Sequence, residues 1–468
     1  DGGLPPSHGL DRWVQTIEPQ GIGTAHPDYQ DHGLAVTGTF LFGHLHDRVL
    51  PRPYCLVDHV RVLDDQTGQG GNDLEILDVL DRIVAHLNAH RGTYRFVNIS
   101  LGPELPITDD EVTQWTATLD ELFAGKNVVP TVAVGNGGEL DHASGLDRLQ
   151  PPADAVNVLA VGACDSRSAA WRRAPYSCLG PGRSPGIVKP DGVAFGGSVG
   201  EPIMVLVSDR GPKRSGAQGT SFASPLALRA TSAVDALLSG SLEGLTLRAL
   251  MIHRAESADQ PIEEVGWGRF ETEPDQLITC EDDEAIVIYQ GQLPVGQDLR
   301  MPVPFAPNRC KGMVTITATL LISPDVDPQH PGAYTRSGLE ISFRPDSRKM
   351  RTYSDGRVSH HATTKPFFSA KNMYGAAEFE LRDDGHKWEP CRRNAQRFRA
   401  ASLHEPCFDV YFHHRSNAVQ ETNPQPIPYA LIVGMRSPKT KDFYAQTVRA
   451  YTNILVPIRP KVQIQVKT

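Results

Sequence analysis

No stretch of this 468-residue chain approaches the roughly 20 consecutive apolar residues that a membrane-crossing helix needs, so no membrane partner is expected. There is no excess of positive charge either. The formal net charge is -9, which argues against a protein that coats nucleic acid. Cysteine is sparse: Cys55, Cys164, Cys178, Cys280, Cys310, Cys391 and Cys407 are odd in number, scattered and without CxxC spacing. That pattern fits free thiols in a reducing compartment better than a disulfide framework, so a cytoplasmic setting is expected over a secreted one. Internal repeats and low-complexity tracts are lacking. The first residue is Asp1 rather than Met, and a signal or pro-segment before it is compatible with the sequence. What remains, at 40% hydrophobic and 22% charged residues, has the composition of an ordinary soluble globular protein.

Two textures divide the chain. Up to about residue 275, short apolar runs alternate with helical patterns. Phe96–Gly102, Val128–Gly135 and Val156–Gly162 read as strands that end in glycine, and Leu74–Ala89 carries apolar residues near helical period. Near-continuous apolar strands belong to parallel sheets buried on both faces, and the alternation predicts a doubly wound α/β layer fold over 1–275. From 276 to 468, strand patterns follow one another between Pro, Gly, Asn and Asp clusters: Ala285–Tyr289, Met313–Ile322, Leu339–Phe343, Phe408–Phe412, Tyr429–Met435 and Val462–Val466. They predict an antiparallel β-sandwich.

The most informative segment is Gly219-Thr220-Ser221-Phe222-Ala223-Ser224-Pro225, which runs into a helical pattern. The spacing puts Ser221 at a helix start, where free N–H groups and the helix dipole favour negative charge, and Pro225 in the first turn, where a missing N–H costs little. A bare Gly-Thr-Ser is ordinarily an N-cap. Seven matching positions make it more: the segment resembles the nucleophile motif of subtilisin-like serine peptidases. Three upstream motifs answer to the same family. His32-Gly33-Leu34-Ala35-Val36-Thr37-Gly38 resembles its histidine motif, with His32 at a helix start and small residues allowing close packing beneath it. Gly135-Asn136-Gly137-Gly138 resembles its Gly-Asn oxyanion motif, although Asn-Gly after a strand is by itself usually a turn. Asp1-Gly2-Gly3 resembles its aspartate motif with Gly2 replacing Ser or Thr, and Asp1 precedes His32 by 31 residues (32 minus 1). Asp11 and Asp28 lack a following glycine, and Asp31 adjoins His32 in sequence, so its side chain diverges. In the family, the strand that delivers this aspartate lies before it in sequence.

The resemblance spans about residues 1–275 and extends to Lys189-Pro190-Asp191 and Gly266-Trp267-Gly268-Arg269. It implies a serine endopeptidase acting on polypeptides. Ser221 would attack, His32 shuttle the proton, Asp1 orient His32, and Asn136 bind the oxyanion. Ser100, Leu101 and Gly102 would pair with substrate backbone, and Ala133, Val134 and Gly135 would form the opposite wall. Some relatives with this layout resemble peptidases encoded beside AAA-type ATPases, which suggests such a partner by analogy. The sedolisin type, with Glu for His and Asp for Asn, is rejected because His-Gly and Gly-Asn both stand. A pseudopeptidase acting as a binding module is the reading from another class, and the complete set of candidates argues against it.

No cofactor is implied. Calcium stabilises many relatives, yet the acidic, Gly-rich stretch 64–73 lacks the EF-hand pattern and reads as a solvated loop. His360-His361 and His413-His414, with Cys391 and Cys407, lack metal spacing, because adjacent strand residues face opposite ways. The basic and aromatic stretch from Lys387 to Arg399 reads as a charge-protected strand edge rather than a nucleic-acid surface. Glu139, Asp141 and His142 follow Asn136 and suggest a preference for basic substrate side chains.

Overall fold

A computed structural model describes residues 1–46, 50–68, 73–208, 211–305, 310–368, 385–415 and 425–458. The chain forms two compact units: Asp1–Ala236 with Arg254–Pro274, and Leu237–His253 with Asp275–Thr468.

In the first unit, β1 (Val14–Ile17) and β2 (Val57–Val60) pair in parallel. Strands β3 (Phe96–Ile99), β4 (Val129–Ala133), β5 (Leu159–Cys164) and β6 (Gly192–Phe195) form a four-stranded parallel sheet in that order. β7 (Ile203–Ser208) and β8 (Pro212–Ala217) make an antiparallel pair. Four long helices interleave: α1 (Pro27–Phe42), α2 (Asp73–Ala89), α3 (Gln114–Phe123) and α4 (Thr220–Leu237). The apolar runs become strands because their side chains are buried on both faces. Every residue of β5 and β6 is buried, and Leu119, Val132, Leu149 and Val158 are fully inaccessible in one shared core. Each such side chain contributes about 1.5–3 kcal/mol.

Two boundaries differ from the sequence expectation, each for a local reason. β5 begins at Leu159 rather than Val156, because the Asp120 carboxylate accepts the backbone N–H groups of Val156 at 3.0 Å and Asn157 at 2.6 Å and holds them out of the ladder. α1 begins at Pro27, so His32 stands in its second turn and not at its start. The fixed φ of Pro27 suits the first helical position, and the His26 side chain accepts the Asp28 N–H.

The second unit is antiparallel. Its strands are β9 (Glu284–Leu293), β10 (Asp298–Pro302), β11 (Met313–Ile322), β12 (Ser337–Arg344), β13 (Met350–Thr352), β14 (Val358–Ala362), β15 (Cys391–Arg399), β16 (Cys407–His414) and β17 (Ile427–Arg436). A four-stranded sheet in the order β15-β11-β17-β9 and a three-stranded sheet in the order β10-β16-β12 share one core. Alternation supplies it: Val314, Ile316, Ala318 and Leu320 face in from β11 and meet Leu339, Ile341 and Phe343 of β12 and Phe408 and Val410 of β16. α5 (Gly244–Arg254) belongs largely to this unit, where His253 Nδ1 lies 2.9 Å from Thr319 Oγ1 of β11.

Strands β10, β13, β14 and β15 escape the apolar pattern, being short or charged. β15 is the basic stretch, and it does form a sheet edge. Arg392 within it is not solvated, however. It is completely buried, donates to the Leu339 carbonyl at 2.5 Å and stacks over Phe368. The expected strand Val462–Val466 lies outside the described residues. So do Gln69–Asn72 of the acidic loop, where Asp64 instead pairs with Arg82 at 2.9 Å and caps Thr67. His413 and His414 engage separate partners, Glu340 and Ser337.

Candidate active site

The first unit brings four of the sequence-predicted residues to one end of its parallel strands, where loops converge. Asp1 lies beside β2: its carbonyl accepts the Val62 N–H at 2.8 Å. From there its carboxylate reaches α1, with Oδ1 2.9 Å and Oδ2 3.1 Å from His32 Nδ1. Oδ1 also accepts the Gly2 N–H at 2.7 Å. The Asp1 side chain is 8% exposed and that of His32 is 34% exposed, so the carboxylate is sheltered while the imidazole opens outward. Gly33 makes this approach feasible, because a Cβ there would collide with the Gly3 carbonyl oxygen. Burial pushes the His32 imidazole down to about 4. It is therefore neutral near pH 7, with a ring nitrogen able to accept a proton. Asp31 is exposed.

Ser221 is the second residue of α4 and half-buried. The His32 ring packs against that of Phe222, the next residue, at 6.0 Å between centroids. No hydrogen bond joins His32 to Ser221 among the described residues, as is common for such pairs before substrate tightens the site. Pro225 occupies the second turn of α4, one turn later than the sequence suggested. It thus withholds the N–H that would bond the Ser221 carbonyl. The Ser100 hydroxyl donates to that carbonyl at 2.9 Å instead. Asn98 organises this corner: its Nδ2 donates to Ser100 Oγ at 2.9 Å, and its Oδ1 accepts from Thr131 and Ser224.

Asn136 follows β4 and is exposed. Its Oδ1 accepts both the backbone N–H and the hydroxyl of Thr220 at 3.0 Å. This fixes the amide so that Nδ2 is the group left for a ligand. Its loop is built tightly. Gly135 has φ +99°, the Gly137 N–H donates to Cys178 Sγ at 3.1 Å, and the Gly138 N–H donates to the Tyr176 carbonyl at 2.8 Å. Tyr176 also steadies the other side, its hydroxyl accepting the Gly219 N–H at 3.1 Å.

Ser100, Leu101 and Gly102 leave the end of β3, and Ala133 ends β4. Val134 departs from its expected role. It is fully buried, donates to Val161 O and accepts from Gln150 N, so it supports the wall from behind, while Ala133 and Gly135 are partly exposed. Gln150 packs over Gly135 on this wall, a neighbour the motifs did not reveal. Of the acidic residues after Asn136, Asp141 is engaged by Ser144, and His142 pairs with the buried Asp147 at 2.7 Å. Among the described residues no group of three His, Cys, Asp or Glu is placed to hold a metal.

An imidazole backed by a carboxylate, a serine at a helix start and a free amide donor are the parts that serine hydrolase chemistry requires. The model of the subtilase family matches residues 5–268, more than half of the chain, and the chain belongs to that family: it carries a serine endopeptidase domain of the subtilase type. A curated relative, the uncharacterized protein y4bN of Sinorhizobium fredii (strain NBRC 101917 / NGR234), is 28% identical over 327 residues, covering 56% of this chain and 73% of its own. Among solved structures, the patellamide maturation protease PatA is 20% identical with a TM-score of 0.43, covering 59% of this chain and 94% of its own. The epidermin leader peptide processing serine protease EpiP from Staphylococcus aureus is 18% identical with a TM-score of 0.44, covering 59% and 73%.

Proposed function

We propose that this endopeptidase cleaves peptide bonds with Ser221 as nucleophile, His32 as general base and then acid, and Asp1 as the group that orients His32. The observation that carries the reading is the two-oxygen contact of Asp1 with His32 Nδ1, at 2.9 and 3.1 Å. It places the proton on Nδ1 and leaves Nε2 with a lone pair to receive the serine proton. Attack on the carbonyl produces an oxyanion, for which Asn136 Nδ2 and the Ser221 N–H at the start of α4 are the donors. Collapse expels the amine, protonated by His32, and water repeats the sequence on the acyl-enzyme. Ser100–Gly102 would pair with substrate backbone, opposite Ala133 and Gly135.

Ser221→Ala is expected to abolish cleavage and labelling by a fluorophosphonate probe while the circular dichroism spectrum is preserved. Undiminished proteolysis by the purified variant would overturn the assignment. The wider proposal is that the enzyme works in a reducing cytoplasm on polypeptides delivered by an AAA-type ATPase. The resemblance supports the ATPase, and an odd number of scattered cysteines without CxxC spacing supports the compartment. Co-purification with the Ser221→Ala variant tests the partner, and its failure to retain any ATPase would remove that part.

A further inference from the structure

His59 of β2 is buried, at 5% exposure, and no motif points to it. Its ring touches both elements that carry the Asp1–His32 pair. Nε2 accepts the Gly3 N–H at 3.1 Å, two residues from Asp1. Nδ1 lies 2.8 Å from Thr37 Oγ1 on α1. Since Nε2 accepts, a neutral ring must carry its proton on Nδ1 and donate it to Thr37. The ring also lies against the helix backbone between these points: a Cβ on Gly33, the residue after His32, would come within 3.0 Å of His59 Cε1. One imidazole therefore spans the Asp1–Gly3 loop and the Gly33–Thr37 face of α1.

We propose that His59 is a positioning residue, bracing the Asp1 loop against α1 so that the carboxylate stays in register with His32. The inference rests on the Asp1–His32–Ser221 reading above. The loop is tied on either side, the Asp1 carbonyl holding Val62 N–H and the Leu4 carbonyl accepting from Gln30 Nε2, but among the described residues this ring is the partner that the Gly3 N–H has. Two glycines in a row give the loop no side chains with which to pack, so its position depends on backbone partners. Burial keeps the ring neutral. A small displacement of an orienting group can cost about 100-fold in rate.

The test compares His59→Leu and His59→Gln, with kcat and KM for a peptide substrate normalised to sites titrated by a fluorophosphonate. Gln keeps an acceptor for the Gly3 N–H, whereas Leu fills the space without one. His59→Leu is expected to lose about 10- to 100-fold in kcat with KM nearly unchanged, and His59→Gln to recover most of it. In an Asp1→Ala background the Leu substitution should have no further effect, since His59 acts only through Asp1. If His59→Leu does not fold, Thr37→Val, which removes the other anchor of the ring, takes its place, with a smaller loss in kcat that also vanishes in the Asp1→Ala background. A purely structural role would lower the titratable fraction and leave kcat per site intact. That result, or an equal loss with and without Asp1, overturns the bracing role. Absence of probe labelling at Ser221 in the wild-type chain would instead overturn the underlying site assignment.

Discussion

The Ser100 hydroxyl donates to the Ser221 carbonyl at 2.9 Å, taking the place of the helical N–H that Pro225 lacks. The proline thus frees an acceptor next to the nucleophile, and the end of β3 is tied to the start of α4 through it. Asn98 aims the hydroxyl from behind. The segment expected to bind substrate backbone and the segment carrying the nucleophile are in this way fastened to each other by one side chain.

Ser100→Ala should therefore leave the Ser221 carbonyl unpaired and lower the unfolding free energy by about 1–3 kcal/mol, the usual cost of a polar group stranded in a partly buried place. Pro225→Ala restores a backbone N–H four residues on. The double variant Ser100→Ala/Pro225→Ala should lose less than Ser100→Ala alone. Urea titrations of protein inactivated at Ser221 by a fluorophosphonate, which prevents self-digestion, measure both. Additive losses would show that the two residues do not share this acceptor.

The Thr220 contacts fix which end of the Asn136 amide faces outward. Asn136→Leu removes the donor and is expected to lower kcat by about 100- to 1,000-fold with little change in KM, the magnitude measured for such a donor in a subtilisin. Thr220→Val keeps the backbone bond but deletes the hydroxyl, so a fall in kcat of roughly 3- to 10-fold is expected, in line with the loss of one neutral hydrogen bond. Steady-state kinetics on a peptide substrate separate these effects from binding. A large rise in KM with kcat preserved would place Asn136 in ground-state binding instead.

Much of this site was legible in the sequence because its residues sit in short contiguous motifs whose backbone demands are local. Gly33 is required by the Gly3 carbonyl and Gly135 by its positive φ, and both stand beside the residues they serve. The apolar runs of β3 to β5 announce a parallel sheet because burial on both faces removes any alternation. What the sequence concealed depends on contacts distant along the chain. His59 is 56 residues from Gly3, and Gln150 reaches Gly135 only through the fold. Val134 looked like a pocket residue, but its partners Val161 and Gln150 occupy both of its backbone groups. The β10 and β13–β15 strands are short or charged, and pairing with neighbours rather than apolar pattern defines them. Pro225 lies one turn deeper than its motif suggests because α4 starts at Thr220, held there by Asn136 far upstream.

Lys189-Pro190-Asp191, read only as a family motif, forms a buried ion pair. Lys189 Nζ lies 2.7 Å from Asp191 Oδ2, with side chains 3% and 5% exposed, and the same oxygen accepts the Ala160 N–H of β5 at 2.7 Å. Lys189→Met strands the carboxylate and should destabilise the unit by about 3–5 kcal/mol. Lys189→Met/Asp191→Asn removes both charges and should recover part of that. Denaturant unfolding of the inactivated protein decides it. Equal losses in the single and double variants would mean that packing rather than charge is at stake.

The pH dependence follows from His32 and has a definite sign. Burial lowers its pKa from 6.5 to about 4, while one-third exposure and the carboxylate of Asp1 at 2.9 Å temper the fall. The base is active when neutral, so kcat/KM should rise with pH along a single acid limb centred between about 4 and 6.5, below the ordinary histidine value. Stability runs the same way. An imidazole whose folded pKa lies below its unfolded one binds more protons when unfolded, so its contribution is complete above pH 6.5 and is lost as pH falls towards 4. His59, also held low by burial, adds to the same loss. The acid limb should collapse in His32→Ala, which also loses nearly all activity, whereas the stability loss below pH 6.5 should shrink without disappearing, because His59 continues to titrate. A limb centred above 6.5 in the wild-type enzyme would show that Asp1 stabilises the imidazolium more than burial disfavours it.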